Sequence, residues 1–206
     1  MFKFNEEAAT ATSGSAGSKV LDSGVHPVTI NTVSEAIAST GTKGFDWSLQ
    51  IGDSKYPNMV YGMWHTKSNG DDIKMNSSVI QNLMGLTEKK ITMYDKTIEV
   101  KDGTKVVKAV KEFDGFKGYV AIVKVLDFYN SEVREKNEIR AFMNEDKKTY
   151  AETVKNSDAK QFAYYTANLK DTKTEAYKKA EANGEIGSQS NTETEAESTE
   201  EEGSLL

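Results

Sequence analysis

The chain has 206 residues and 37% hydrophobic content, enough for one ordinary domain plus segments that do not pack. It has no cysteine, which excludes a disulfide framework, a thiolate metal site and a cysteine nucleophile. The net charge of −6 is segregated: residues 181–206 carry eight glutamates and no Lys or Arg, so residues 1–180 hold 26 basic against 24 acidic groups.

Residues 1–24 are rich in Ala, Ser, Thr and Gly and bury little, so they are expected to form a flexible N-terminal arm. No apolar leader is visible, and no stretch approaches the roughly 18 apolar residues of a membrane span, so a soluble, cytoplasmic protein is expected. A first strand is expected over 25–37, where Val28 and Ile30 alternate with polar neighbours. The turn Gly41-Thr42-Lys43-Gly44 leads to the cleanest period-two stretch, with Phe45, Trp47, Leu49 and Ile51 on one face. A third strand is expected over 58–65, followed by the turn Asn69-Gly70-Asp71-Asp72.

The period then changes. Val79, Ile80, Leu83 and Met84 have helical spacing, Ser78 and Gln81 have the offset of a capping box, and Gly85 stands where a helix would stop. Strand patterns return over 90–100 and 106–110 around an Asp102-Gly103 turn, then over 118–129, with a short extra strand over 138–142. A helix capped by Ser157 is expected to run to about residue 182, carrying the stripe Phe162, Tyr165 and Leu169. Residues 183–206 read as a disordered acidic tail.

Three strands, a short helix and two or three further strands give the order of an OB-fold. The expected fold is therefore mainly β. It is an OB-like barrel of five to six strands over 25–155, with one short internal helix and a C-terminal helix over 156–182.

Catalytic constellations are not evident. His26 and His65 lack a local partner set for nucleophilic catalysis. Asp71 and Asp72 could join Asp46 and Asp53 as metal ligands, but a carboxylate pair in a Gly-Asn turn reads as a turn former. The segment Gly41–Gly44 lacks the spacing of a phosphate loop. No cofactor, no metal and no enzymatic activity are expected.

The aromatics point elsewhere. A single-strand binder needs rings on which bases stack and cations that track phosphates. Trp47, Tyr61, Trp64, Phe116 and Tyr119 are the candidate rings; Lys67, Lys74, Lys108, Lys111 and Lys117 are the candidate cations. Trp47 shares the face of Phe45, Leu49 and Ile51, so core burial competes with binding there. The tail supplies a second candidate surface: Glu200, Glu201 and Glu202 followed by Leu205 and Leu206 read as an acidic docking peptide for a protein partner.

The layout of arm, OB-like body and glutamate-rich tail resembles bacteriophage single-stranded DNA-binding proteins. The segments that carry the likeness are Lys55-Tyr56-Pro57-Asn58-Met59-Val60-Tyr61 leading to Trp64, the helix around 80–86, Glu112-Phe113-Asp114-Gly115-Phe116-Lys117-Gly118-Tyr119, and Asn137-Glu138-Ile139-Arg140-Ala141-Phe142. Where some of those proteins end in an aromatic residue after the acids, this chain ends in Leu205-Leu206. The resemblance implies a non-enzymatic protein that coats single-stranded DNA, or RNA, in phage replication or recombination. It implies recruitment of replication proteins by the tail, in the host cytoplasm. The rival expectation is a structural or assembly protein on a β-barrel with no nucleic-acid role.

Overall fold

Alternation of apolar and polar side chains sets the central strand, β2 (Lys43–Ile51): Phe45, Trp47 and Leu49 are buried, while Asp46, Ser48 and Gln50 keep partial access to solvent. The computed structural model describes residues 20–54, 57–100 and 103–186. The architecture is mainly β. Its other strands are β1 (Gly24–Ile37), β3 (Asn58–Thr66), β4 (Met93–Val100), β5 (Gly103–Val110), β6 (Lys117–Tyr129), β7 (Glu132–Met143) and β8 (Thr172–Lys173). The helices are α1 (Lys74–Leu86), α2 (Tyr150–Val154), α3 (Lys160–Asn168) and α4 (Glu175–Ala182), and a 3-10 turn covers Lys111–Phe113.

β1 organises the sheet. It pairs antiparallel with β2, its first half also pairs with β6, and Ser34 near its end bridges to Ala109 of β5. β3 extends the sheet beyond β2, and β7 extends it beyond β6. With α1 following β3, the strands β1, β2, β3, β6 and β7 run in the order of an OB-type barrel, to which the β4–β5 hairpin and β8 are additions. Among the described residues, eight strands thus stand where five to six were expected. β3 and β7 lie alongside one another without a hydrogen-bonded ladder, so the barrel stays open at that seam.

The core fills the space between these strands and α1. Trp47 stacks between Phe142 at 5.2 Å and Phe113 at 6.1 Å, and all three are fully buried. Val79, Ile80 and Leu83 cover one end of the barrel with the predicted helical face.

The helix does not begin at the expected capping box. It starts at Lys74, and the Ser78 hydroxyl bonds back to the Lys74 carbonyl at 2.7 Å. Tertiary contacts set the start: Asn76 Nδ2 donates to the Trp64 carbonyl at 2.7 Å and the Ser77 hydroxyl to the His65 carbonyl at 3.1 Å. Gly85 lies inside the helix rather than ending it. A Cβ there would stand 2.2 Å from the Tyr150 ring, so a bare Cα lets that ring pack on the helix.

Beyond β7 the single expected helix is divided. A further short helix, α2, precedes the expected span and starts at a Thr149–Glu152 capping box, whereas α3 begins at Lys160 with no side-chain cap, so Ser157 does not cap it. In α3, Phe162 and Tyr165, with Leu169 just past its end, pack against Tyr119, Ala121, Ala141 and Met143, where two alanines let the helix approach the strands. The chain then leaves the helix because Asp171 binds Lys124 and Ser23, and Thr172-Lys173 pair in parallel with Val125-Leu126. Thr174, whose hydroxyl also bonds Asp127, caps α4.

At the other end, Leu21 packs on the core and exchanges two hydrogen bonds with the Asn137 side chain, so residues 21–24 of the expected arm belong to the packed structure. Residues 1–19 of the expected arm, the Lys55-Tyr56 pair, Asp102 of the expected turn, and the tail from residue 187 with Glu200, Glu201, Glu202, Leu205 and Leu206 lie outside the described residues. Among the described residues, no helix is long and apolar enough to cross a membrane.

Candidate nucleic-acid interface

Two register shifts shape β3. Trp47 faces Val60 and Phe45 faces Met63, so Asp46 of β2 stands opposite both Tyr61 and Gly62. Farther on, Gly44 faces Trp64 and Lys43 faces Thr66, which leaves His65 as a second extra residue. Each bulge shifts the in–out alternation by one position and re-aims the side chains beside it. Val60 and Met63 therefore both point inward, although three positions apart, while Tyr61 projects outward at 71% exposure and Trp64 is half-buried on the outside.

The first bulge depends on glycine. Gly62 has φ of +61°, a left-handed conformation that Cβ-bearing residues adopt at a cost. Its N–H donates to Asp46 Oδ1 at 2.7 Å, which holds the bulge in place. A Cβ on Gly62 would meet the Trp64 indole at 2.9 Å, and one on Gly44 would meet it at 2.7 Å. The indole thus rests on two bare Cα positions, one on its own strand and one on β2. Fixed this way, the ring offers a rigid surface to a ligand without the entropy loss of a free side chain.

Trp64 and Tyr61 line a cleft of about 710 Å³ at the open seam. β3 and β7 form its walls, the end of β1 contributes Glu35 and Ile37, α1 contributes Met75 and Asn76, and β5 contributes Lys105. Ile37 and Met75 are 61% and 50% exposed, so the cleft is rimmed by apolar surface as well as rings. Its charge is mixed. Glu138 pairs with Arg140 at 3.0 Å and with Lys136 at 3.4 Å. Lys105 makes no ion pair among the described residues, and Glu35 and Asp46 make none either.

His65 lies beneath this surface. Its ring packs on Phe45 at 4.8 Å and its Nδ1 shares a hydrogen bond with the Thr66 hydroxyl at 2.8 Å. Burial holds its pKa below the ordinary imidazole value, against the opposing pull of Asp72 and Glu35.

The other candidates scatter. Trp47 is fully buried with its Nε1 unpartnered; it belongs to the core and presents no face to a base. Phe116 packs edge-on against Phe142. Tyr119 packs edge-on against Phe162 and, with Lys117, lines a separate depression of about 380 Å³. Lys108 is paired with Asp95 at 2.7 Å. Lys111 is exposed as the first residue of the 3-10 turn, Lys67 is exposed just past β3, and Lys74, the exposed first residue of α1, precedes the cleft residue Met75. The structure therefore brings Tyr61 and Trp64 together, sets Lys74 beside the cleft residue Met75 in the chain, and separates Lys117 and Tyr119 from them.

Sequence reading did not place Gly44, Asp46, Gly62, Lys105 or Lys136 at this cleft. The one available signal was the glycine within the third strand, which marks a bulge or a close approach. Comparison with protein-family models, with curated proteins and with solved structures found no match.

Proposed function

We propose that this protein binds single-stranded nucleic acid, DNA in the first instance, by stacking bases on Trp64 and Tyr61 at the open seam between β3 and β7. The observation that carries this reading is the Trp64 indole, packed against Gly44 and Gly62 and lining the cleft. A half-exposed tryptophan seated on two glycines needs a reason, and a stacking platform supplies one: each base–ring stack contributes about 1–3 kcal/mol. The bases point inward and the phosphates outward, toward Lys74, Lys105 and Lys136. With so few cations at the cleft, the salt slope is shallow, about −2 for three phosphate contacts on a single strand. Coating of exposed strands in phage replication or recombination, and recruitment of replication proteins by residues 183–206, follow from the layout that resembles phage proteins of this type. No catalytic step is part of the proposal.

The test is tryptophan emission. Trp47 is buried, so quenching by an added oligonucleotide reports Trp64, and Trp64→Phe removes it. A second reading, a protein–protein docking cleft, is favoured by the exposed Ile37 and Met75 on the same rim. It predicts no quenching and no gel shift with single strands at low salt.

A further inference from the structure

We infer that the cleft selects bases that carry an exocyclic amino group, such as cytosine, over thymine and uracil, and that Asp46 makes the selection. This rests on the single-strand reading above and assigns the site its base preference.

Gly62 joins two features. Its Cα lies under the indole, and its N–H is bound by Asp46 Oδ1 at 2.7 Å. The carboxylate is thereby tied to the backbone that carries the platform, with Oδ1 committed to the Gly62 N–H. Its second oxygen has no hydrogen-bond or ion-pair partner among the described residues, and Asp46 lines the cleft with Tyr61, Gly62 and Trp64. A base lying on the indole turns an edge toward that oxygen.

An ionised carboxylate only accepts hydrogen bonds. The amino group of cytosine, adenine or guanine donates to it. Thymine and uracil offer one ring N–H flanked by two carbonyl oxygens, which the carboxylate repels. Glu35 and Asp46 bring negative charge to the lining and Lys105 and Lys136 positive charge, so in this mode the base edge meets the carboxylate and the phosphates meet the lysines. A charge-assisted hydrogen bond at a partly exposed site gives a preference of about fivefold per site.

The experiment compares oligo-dC with oligo-dT of equal length by tryptophan quenching, on the full chain and on Asp46→Asn. Asparagine keeps an oxygen for the Gly62 N–H and turns the other position into a donor. The expected results are about fivefold tighter binding of oligo-dC by the natural chain and loss or reversal of that ratio in Asp46→Asn. An oligomer of N4,N4-dimethylcytosine, which lacks the donor, needs no protein change and binds like oligo-dT. Equal affinity for oligo-dC and oligo-dT, an unchanged ratio in Asp46→Asn, or full binding of the dimethylated oligomer overturns the inference and leaves single-strand binding standing. Absence of quenching and of a gel shift with every oligomer overturns both.

Discussion

Replacing Gly62 by alanine separates the platform from the fold. The change forces an L-residue into a φ of +61°, which costs about 1–2 kcal/mol. Loss of glycine's freedom in the unfolded chain returns about 0.4–1 kcal/mol. The net destabilisation is about 1 kcal/mol, or about 2–4 °C in Tm for a domain of this size. The new methyl would also stand 2.9 Å from the indole and displace it. Gly52 supplies the matched control: its φ is +53°, and a Cβ there meets nothing within 4 Å. Gly52→Ala and Gly62→Ala should therefore lower Tm by similar amounts in thermal denaturation. Only Gly62→Ala should weaken oligonucleotide binding, by about 5- to 150-fold for one lost stack of about 1–3 kcal/mol. Undiminished binding by Gly62→Ala, or an equal loss in Gly52→Ala, would refute the platform.

Other outcomes follow from the same structure. Acrylamide should quench the emission of Trp47→Phe, which leaves Trp64, and should barely quench Trp64→Phe, which leaves the buried Trp47. Tyr94 donates to Asp114, which Lys96 also binds at 2.7 Å, and these contacts hold the β4–β5 hairpin to the loop before β6. Tyr94→Phe should cost about 1–2 kcal/mol by chemical denaturation. The Asp114 bond raises the Tyr94 pKa to about 12, above the unfolded value of about 10. That stabilisation is full below pH 10 and is lost as pH rises toward 12, and Tyr94→Phe should flatten this part of the profile. His65 has the opposite sign: its folded pKa is lowered, so its contribution is full above the unfolded value of about 6.5 and fades as pH falls through the folded value. Replacing His65 by phenylalanine should reduce the acid-side slope of stability. Glu152 accepts from Thr149 N at 2.9 Å and from Gln161 N at 2.8 Å, joining α2 to α3; Glu152→Ala should cost about 2–3 kcal/mol by the same denaturation assay.

The strands were legible where one face alone is buried. Phe45, Trp47 and Leu49 announce β2, and the long apolar run of β6 announces a strand covered on both sides, by the core and by α3. The start of α1 was not legible, because the carbonyls of Trp64 and His65 that anchor Asn76 and Ser77 become available through pairing, not through local spacing. The division of the C-terminal helix has a similar origin: Asp171 and Thr172 leave the helical path for partners on β6 and before β1. The candidate site was half legible. Tyr61 and Trp64 stand out as aromatics, yet their common outward aim depends on Gly62 opposing Asp46 together with Tyr61, which only the partner strand defines. Strict alternation would have set the two rings on opposite faces. Trp47 shows the converse, a ring placed by the core that sequence alone leaves open to either role.

The central claim is most directly tested by titrating a single-stranded oligonucleotide into the full chain at low salt, following tryptophan emission, with duplex DNA in parallel. Stacking on Trp64 requires saturable quenching by the single strand that is weakened by salt, is absent in Trp64→Phe and is retained in Trp47→Phe. Unquenched emission with no gel shift, or quenching that survives in Trp64→Phe, would contradict it.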